Sequence, residues 1–357
     1  MEKGGNLKEI KYILEKFTKA HGISGSEGNI RDLLEMEIEP YVDTIRKDLM
    51  GNFIATKKGK GPFIMLTAHM DEIGLMVNYI DDSGFLRFIE IGRWFEQTLL
   101  SQRVVVHGMK GSILGVIGSK PPHLMKDDDK RKPVKLEDMF IDIGAKDRVD
   151  AENMGIEIGT TATIDREFVS LANGRVTSKA LDDRVGVVIL IEIMKRLSKH
   201  RIGANIYAVG TVQEEVGLKG AKTCTFGLAP NLAIAFDTTS PGDYPGISKT
   251  DSSLEIGKGP VITVADALGR GLIVHPQVLK WLKETATENK IPCQMSVVSG
   301  GTTDATSIHL TKEGIPTGRV SIAIRYAHSP VEVLDVSDVE ASISLIVKAI
   351  ENVGRYF

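Results

Sequence analysis

The chain lacks an apolar run long enough to cross a membrane. Its most apolar stretch, residues 185–194, is short and is interrupted by Glu192, whereas a membrane-spanning helix needs about 20 apolar residues. The opening residues, MEKGGNLKEI, lack the apolar segment of a secretory signal peptide. We therefore expect a cytoplasmic protein that does not bind membranes.

Cysteine and excess charge of one sign are also scarce. The 357 residues include 2 cysteines, Cys224 and Cys293, which lie far apart and show no metal-binding spacing. Two free thiols in a reducing cytosol are the favoured interpretation, and a single disulfide is the alternative. The formal net charge of −3 provides no basic surface for nucleic acid. We therefore expect no nucleic-acid partner.

Short, continuous apolar runs organise most of the chain. Runs of this kind are typical of parallel strands that helices cover on both faces. A hairpin is expected across residues 43–57, and candidate helices span residues 7–20, 29–38, 184–199, 276–289, 304–312 and 336–353. The sequence therefore predicts an α/β fold with a mixed, mainly parallel sheet and helices on both faces.

Residues 73–164 have a different pattern. Alternating runs such as RVVVHGMKGSILGVIG are separated by turn residues, which is typical of a small all-β barrel or sandwich. We therefore predict a discontinuous larger domain, residues 1–72 and 165–357, interrupted by a β-barrel domain at residues 73–164.

Five of the apolar runs end in polar or ionisable residues. The runs FIMLTAHMD, NIYAVGTVQEE, NLAIAFDTT, MSVVSGGTTD and RVSIAIRYAHS end at or near His69, Glu214 and Glu215, Asp237, Asp304 and His328, respectively. Ligands of open α/β sheets bind just beyond the carboxyl ends of the strands. We therefore expect these side chains to meet at one edge of the sheet.

Each of these residues also has an ordinary structural interpretation. Asp182 and Asp183, in SKALDDRVGV, could cap a helix, and a lone His69 or His328 is more often structural than a ligand. Several carboxylates at one edge, however, would repel each other by roughly 4 kcal/mol per close pair. Two divalent cations would remove this repulsion, and histidine with carboxylate ligands suits Zn²⁺, with Co²⁺ or Mn²⁺ as substitutes.

Five motifs occur in order along the chain: AHMDEIG, ALDDRVG, VQEEVG, AFDTT and YAHSP. Through them the chain resembles the M42 family of metallo-aminopeptidases, the tetrahedral or TET type. Members of that family are also labelled glutamyl aminopeptidase, deblocking aminopeptidase and endoglucanase. The resemblance covers essentially the whole chain, and it implies an enzyme that releases N-terminal amino acids from peptides with two divalent metal ions per subunit.

The resemblance also implies a set of metal ligands. Asp182 would bridge the two metals, His69 and Asp237 would complete the first site, and Glu215 and His328 would complete the second. A cis peptide bond after Asp182 is implied as well.

The remaining roles implied by the resemblance concern catalysis and assembly. Glu214 would be the general base, and Asp71 would accept the other ring N–H of His69 and so fix its tautomer. The barrel at residues 73–164 would form dimers, and the dimers would assemble into a hollow dodecamer.

Two other functions are weighed against the aminopeptidase. A binuclear metal hydrolase could act on a non-peptide amide, or a metal-bound scaffold could have lost catalysis, although a spare carboxylate at Glu214 has little use in a scaffold. The loop at residues 299–307, SGGTTDATS, could contact the substrate or simply form a turn before a helix. The resemblance implies a neutral, leucine-like or broad preference for the N-terminal residue, which is the family's commonest assignment, although glutamyl, lysyl and glycyl members also exist.

Overall fold

A computed structural model describes residues 2–128, 130–200 and 202–357 of the chain. The α-helices of this part are α1 (Glu2–Lys19), α2 (Gly28–Ile38), α3 (Arg148–Asn153), α4 (Leu181–Leu197), α5 (Lys219–Leu228), α6 (Pro276–Glu288), α7 (Asp304–His309) and α8 (Val336–Glu351). Within the described ranges, none of the helices combines the length and the apolar character that crossing a membrane requires.

The strands form two sheets and a barrel. They are β1 (Thr44–Lys47), β2 (Phe53–Lys57), β3 (Phe63–His69), β4 (Gly74–Ile80), β5 (Leu86–Ile91), β6 (Arg103–Gly108), β7 (Gly111–Gly118), β8 (Phe140–Asp142), β9 (Thr161–Ile164), β10 (Val169–Ser170), β11 (Arg175–Ser178), β12 (Asn205–Thr211), β13 (Leu232–Thr239), β14 (Val261–Ala265), β15 (Gln294–Val297), β16 (Thr317–Ala323) and β17 (Glu332–Asp335).

An eight-stranded mixed sheet carries the site described below. Its strand order is β1-β2-β12-β3-β13-β16-β14-β15, and the four strands β12, β3, β13 and β16 are parallel to their neighbours within that group. β13 and β16 are buried along nearly their whole length, because helices cover both faces, and this explains the continuous apolar runs. The predicted mixed, mainly parallel sheet is confirmed.

Strand β15 runs in the opposite direction to the prediction. β14 is antiparallel to β16, and β15 is parallel to β14, so β15 ends at the opposite edge from β16. An apolar run predicts a strand but carries no information about its direction. After β15 the chain nevertheless returns to the edge where β12 and β16 end. There the Thr211 hydroxyl donates to Asp304 Oδ2 at 2.5 Å.

The predicted helices are present with shifted ends. Helix α4 starts at Leu181 rather than at residue 184, and it includes Asp182 and Asp183, which have non-helical backbone angles and are joined by a cis peptide bond. Nearly every residue of α4 is buried, because it packs between the sheet, α1 and α8. Helices α3 and α5 were not predicted, since neither segment carries an extended apolar stripe.

A closed antiparallel barrel, in the order β4-β5-β8-β7-β6-β9, occupies part of the middle of the chain. Its interior has its own apolar cluster, which includes Leu75, Leu86, Val104 and Ile141 and is separate from the core around the large sheet. The predicted barrel is confirmed. A separate core is typical of an independent domain, and the boundaries at residues 73 and 164 stay a prediction.

A pair of histidines lies where the barrel contacts the segment between α1 and α2. His107 is on β6 of the barrel, and His21 follows α1. The Thr163 hydroxyl on β9 lies 2.7 Å from His21 Nδ1 and 3.0 Å from His107 Nε2. The two imidazole rings are 4.5 Å apart between centroids. One buried hydroxyl is therefore shared by imidazoles from both parts of the molecule.

Both imidazoles are held in their neutral form. Burial lowers the pKa of His21 to about 4, and the positive charge of Lys179 acts in the same direction. Glu72 opposes this shift in the pKa, and Arg184 adds to it. Burial also lowers the pKa of His107.

His21 is expected to reduce stability in mild acid. Its pKa is about 4 in the folded protein, against an ordinary value of 6.5, so between these values the unfolded chain binds a proton that the folded chain excludes. Stability is therefore lost as the pH falls through this window. The His21→Gln variant does not titrate there and should lose less melting temperature than the wild type between pH 7 and pH 5. The expected difference is roughly 1–2 °C, because about 1 kcal/mol, after discounting for partial exposure, is divided by the large unfolding entropy of a 357-residue chain.

Scanning calorimetry in the presence of a chelator measures this difference. The exposed His123 provides a matched control, because His123→Gln should follow the wild type at both pH values. Equal losses in the wild type and His21→Gln would contradict the assignment.

Candidate metal centre

All the site residues named from the sequence lie at the edge where β3, β12 and β13 end. His69 is the last residue of β3, and Asp237 lies near the end of β13. The others are Asp71 after β3, Asp182 at the start of α4, Glu214 and Glu215 after β12, and His328 after β16. Parallel neighbours place their carboxyl ends together, which is why residues so far apart in the sequence meet.

His69, Asp182 and Asp237 form one candidate ligand group. One imidazole nitrogen or carboxylate oxygen from each lies within 4.8 Å of the others. His69 Nε2 is 3.3 Å from Asp182 Oδ1. All three side chains are at most about one-tenth exposed, so they face the interior of the site.

Asp182, Glu215 and His328 form a second group by the same criterion. His328 Nε2 is 3.6 Å from Asp182 Oδ2 and 3.3 Å from Glu215 Oε1. Asp182 therefore faces His328 with one carboxylate oxygen and the first group with the other. This is the arrangement in which a single carboxylate can serve two ions.

Both glutamates of the pair reach the same site. Glu214 and Glu215 form a third close group with His69, although successive side chains of an extended strand point in opposite directions. Gln213 before the pair has φ 56°, and Gly217 and Leu218 after it have φ 121° and 57°. The turn expected around Gly217 is present, but the left-handed Gln213 could not be predicted, because such a conformation is rare outside glycine.

Asp71 contacts more than the imidazole that it was predicted to orient. His69 Nδ1 lies 3.0 Å from the main-chain oxygen of Asp71 and 3.5 Å from its carboxylate Oδ1. The carboxylate instead accepts the backbone N–H groups of Glu214 and Glu215 and the hydroxyl of Ser24. The carbonyl oxygen, rather than the carboxylate, is therefore the nearer acceptor for the His69 ring.

The basic residues nearest to these motifs are engaged elsewhere. Lys179 Nζ is 2.7 Å from Glu72 Oε2, and Arg184 Nη2 is 3.3 Å from Glu72 Oε1. Arg325 forms an ion pair with Asp243 at 2.7 Å. These cations therefore stabilise other buried or half-buried carboxylates and do not neutralise the cluster.

The environment disfavours ionisation of some carboxylates in the cluster. Burial raises the pKa of Glu214 well above its ordinary range, and the negative charge of Asp237 raises it further. Burial, reinforced by Asp182, raises the pKa of Asp237 to about 7. For Asp182, burial acts in the same direction, but the contact with His69 outweighs it and the pKa is lowered.

The donor atoms fit divalent ions of the zinc class. Asp182 Oδ1 is buried and has no hydrogen-bond partner among the residues that the structure describes, although it lies beside His69. Each candidate group combines imidazole nitrogen with carboxylate oxygen, the ligand types that Zn²⁺, Co²⁺ and Mn²⁺ accept. The residues present therefore fit a pair of such ions.

Glu332 was missed in the sequence, although it supports both candidate groups. Its carboxylate is buried and accepts the backbone N–H of Asp182 at 3.0 Å and that of His328 at 2.9 Å. The only signal in the sequence is its position four residues after His328. Its partner β11, which brings it into place, lies in the three-stranded sheet β10-β11-β17 that was not predicted.

A cavity of about 1020 Å³ lies over the cluster. Its walls come from residues 237–241, 295–303 and the segment around Tyr244 and Leu254, together with His69, Asp182 and both glutamates. Residues 299–303, the part of the glycine-rich loop before α7, line it. The cavity is large enough for a short peptide segment, because drug-sized ligands occupy about 300–1,000 Å³.

Comparison with known proteins identifies the family. Residues 51–345 match the Peptidase_M42 model, described as M42 glutamyl aminopeptidase. This chain belongs to the M42 family of aminopeptidases. A putative aminopeptidase of Acetivibrio thermocellus is 44% identical over 338 residues, which cover 95% of this chain and 97% of that relative. The predicted family and enzyme class are confirmed.

Solved structures of similar peptidases share this fold. Aminopeptidase APDkam598 from the archaeon Desulfurococcus kamchatkensis is 43% identical, with a TM-score of 0.93, and the match covers 97% of this chain and 95% of that one. A Pyrococcus horikoshii TET1 peptidase is 35% identical, with a TM-score of 0.87, and the match covers 96% of this chain and 99% of that one. That peptidase can assemble into a tetrahedron or a large octahedral shell.

Proposed function

We propose that this M42 aminopeptidase works with two divalent metal ions per subunit, held by two ligand groups that share Asp182. The observation that carries the proposal is the division of the Asp182 carboxylate, with Oδ1 near His69 and Oδ2 near His328. His69 and Asp237 complete one group, and Glu215 and His328 complete the other. Zn²⁺ is the proposed ion, with Co²⁺ or Mn²⁺ as alternatives.

Glu214 is the proposed general base. When bound, a pair of such ions lowers the pKa of a water molecule and polarises the carbonyl of the scissile bond. Glu214 accepts the proton of the attacking water and delivers it to the departing amine nitrogen, so that the bond yields a carboxylate and a free amine. Its side chain is 8% exposed, which limits competing proton transfer to bulk water. Asp71 holds Glu214 in place, because its carboxylate accepts the backbone N–H of Glu214.

Neutral or broad substrate preference is the proposed specificity. Apolar side chains on the cavity wall are Tyr244, Ile247, Leu254, Met295 and Val297. Arg319 also lines the cavity, but it is paired with Asp266 at 3.1 Å, and Lys249 and Asp251 carry opposite charges. This balance of charge supports a neutral amino-terminal side chain and does not favour an acidic or a basic one.

Short peptides with free and acetylated N-termini test the activity. The protein should release free amino acids from the unblocked peptides alone, and a chelator should stop the release until Zn²⁺ or Co²⁺ is added back. Chromatography of the products measures both effects. Release that persists in chelator would contradict the metal proposal, and turnover of non-peptide amides only would favour the alternative hydrolase. Metal binding without turnover of either class would favour the silent scaffold.

The two adjacent glutamates provide a matched pair of variants. Glu214→Gln should keep its metal and lose activity by about 10²–10⁴-fold, because the proton acceptor is gone while the ligands remain. Glu215→Gln removes a proposed ligand and should lose metal together with activity, as should Asp182→Ala. Elemental analysis and initial rates measure the two properties. Near-normal turnover in Glu214→Gln, or full metal content in Asp182→Ala, would overturn the assigned roles.

A dodecamer built from dimers through the barrel is the proposed assembly. The tetrahedral assembly of the Pyrococcus horikoshii relative supports it, as do large apolar side chains exposed on and around the barrel, namely Phe95, Met109, Leu114 and Leu124. Light scattering should give twelve times the chain mass of 38.9 kDa. A monomeric mass would refute the assembly without affecting the proposed chemistry.

A cytoplasmic location is also proposed. Cys224 and Cys293 are both free thiols in the structure, and unpaired thiols are typical of a reducing compartment. Cell fractionation followed by immunodetection tests this location, and recovery of the protein outside the cytoplasm would contradict it.

A further inference from the structure

Side chains from distant segments bind four consecutive backbone N–H groups around the glutamate pair. The acceptors are Asn52 Oδ1 for Val212 at 3.0 Å, Glu27 Oε1 for Gln213 at 3.1 Å, and Asp71 Oδ1 and Oδ2 for Glu214 at 3.1 Å and Glu215 at 3.2 Å. We call Glu27, Asn52 and Asp71 the amide frame. Every N–H of this stretch thus points at a fixed oxygen and not at solvent.

The amide frame is itself built rigidly. Glu27 is 5% exposed, and Asn52 and Asp71 are fully buried. Glu27 Oε1 accepts a second backbone hydrogen bond from Gly25 at 2.7 Å, and the Ser24 hydroxyl donates to Asp71 Oδ2 at 2.6 Å. Two of the three frame residues are therefore anchored by the same short segment between α1 and α2, part of the GISGSEG motif for which the reaction gives no role.

Asn52 closes the other end of the same loop. Its Nδ2 donates to the Gly220 carbonyl at 3.1 Å and to Asp48 Oδ2 at 2.7 Å. A Cβ atom on Gly220 would lie 2.3 Å from Asn52 Oδ1. The Asn52 side chain can therefore take this position only because residue 220 is glycine. The buried side-chain amide of Asn52 thus links the two ends of the loop at residues 212–220, through Val212 and Gly220.

Glu27 occupies a helix N-cap position without capping the helix. It precedes α2, yet its side chain makes no capping hydrogen bond. Its carboxylate reaches across to Gln213, the residue with φ 56°. A left-handed residue other than glycine costs roughly 1–2 kcal/mol, and the bond from Glu27 offsets part of that cost at the position that turns both glutamates into the cavity.

We propose that Glu27 and Asn52 are positioning residues, which act with Asp71 through the loop backbone to place Glu214 and Glu215. The inference rests on the proposed roles of those two glutamates. Neither Glu27 nor Asn52 touches the cavity that holds the substrate. They set where the proton acceptor and a metal ligand lie, and they leave substrate binding to other groups.

Three variants on one helix and its N-cap test the proposal. Glu27→Ala removes the acceptor of Gln213. Glu27→Gln keeps an amide oxygen at that position, and because both backbone bonds go to the single atom Oε1, it should restore most of the function. Glu35→Ala, an exposed glutamate of α2, is the matched control and should behave as the wild type.

Hydrogen exchange of the loop is the first readout, and it does not depend on catalysis. Mass spectrometry of the metal-loaded protein should show about tenfold faster amide exchange in peptides spanning residues 211–218 of Glu27→Ala, with the barrel strand β6 unchanged. Wild-type protection of this loop in Glu27→Ala would overturn the proposal, whether or not the protein proves to be an active peptidase.

Steady-state kinetics on a short peptide are the second readout. Glu27→Ala should lower kcat about 10- to 100-fold, because small displacements of catalytic groups have effects of this size, while KM stays within about twofold. A loss confined to KM, or a Glu27→Gln variant as impaired as Glu27→Ala, would contradict a positioning role. If Glu27→Ala does not fold, Glu27→Asp, which withdraws the acceptor by one methylene, takes its place with the same expected results.

Discussion

The crowding of buried carboxylates around Asp182 is the constraint on which the site depends. Within the cluster, burial and like charge act together on Glu214 and Asp237, so a fold that gathers these groups without compensation would be destabilised. The two imidazoles provide part of the compensation, since each faces one oxygen of Asp182. The rest requires further positive charge, because Lys179 and Arg184 pair with Glu72, and Arg319, which acts on Asp237, is paired with Asp266.

The parallel part of the sheet makes this crowding geometrically unavoidable. Strands β12, β3 and β13 are hydrogen-bonded neighbours with the same direction, so residues just beyond their carboxyl ends must lie within a few strand spacings of about 4.8 Å. Helix α4 adds Asp182 to the same edge. The helix is buried against the sheet on one side and against α1 and α8 on the other. The scaffold thus sets the distances first, and the chemistry of the side chains follows from them.

The features of this arrangement that could be predicted from the sequence are those that depend on the pattern of neighbouring residues. Apolar runs ending in His69 or Asp237 predict buried strands with polar ends, and alternating residues between 73 and 164 predict the barrel, since both periodicities are properties of neighbouring residues. Strand direction, as for β15, and the left-handed backbone at Gln213 depend on distant contacts and could not be predicted. The same is true of Glu332, whose burial follows from its pairing with β11.

Three buried carboxylates share one physical task, and of these the sequence indicated only Asp71. Asp71, Glu332 and Glu27 are buried carboxylates that accept backbone N–H groups of segments bearing candidate ligands or the proposed base. These N–H donors favour the charged form, but burial outweighs them in Glu27 and Glu332 and raises the pKa of both. In Asp71 the contact with His69 outweighs burial, and its pKa is lowered. Each of the three also fixes the backbone from which the next carboxylate projects. Carboxylates behind the site therefore order the carboxylates within it, and the geometry of the inner groups is determined by main-chain contacts that no short motif records.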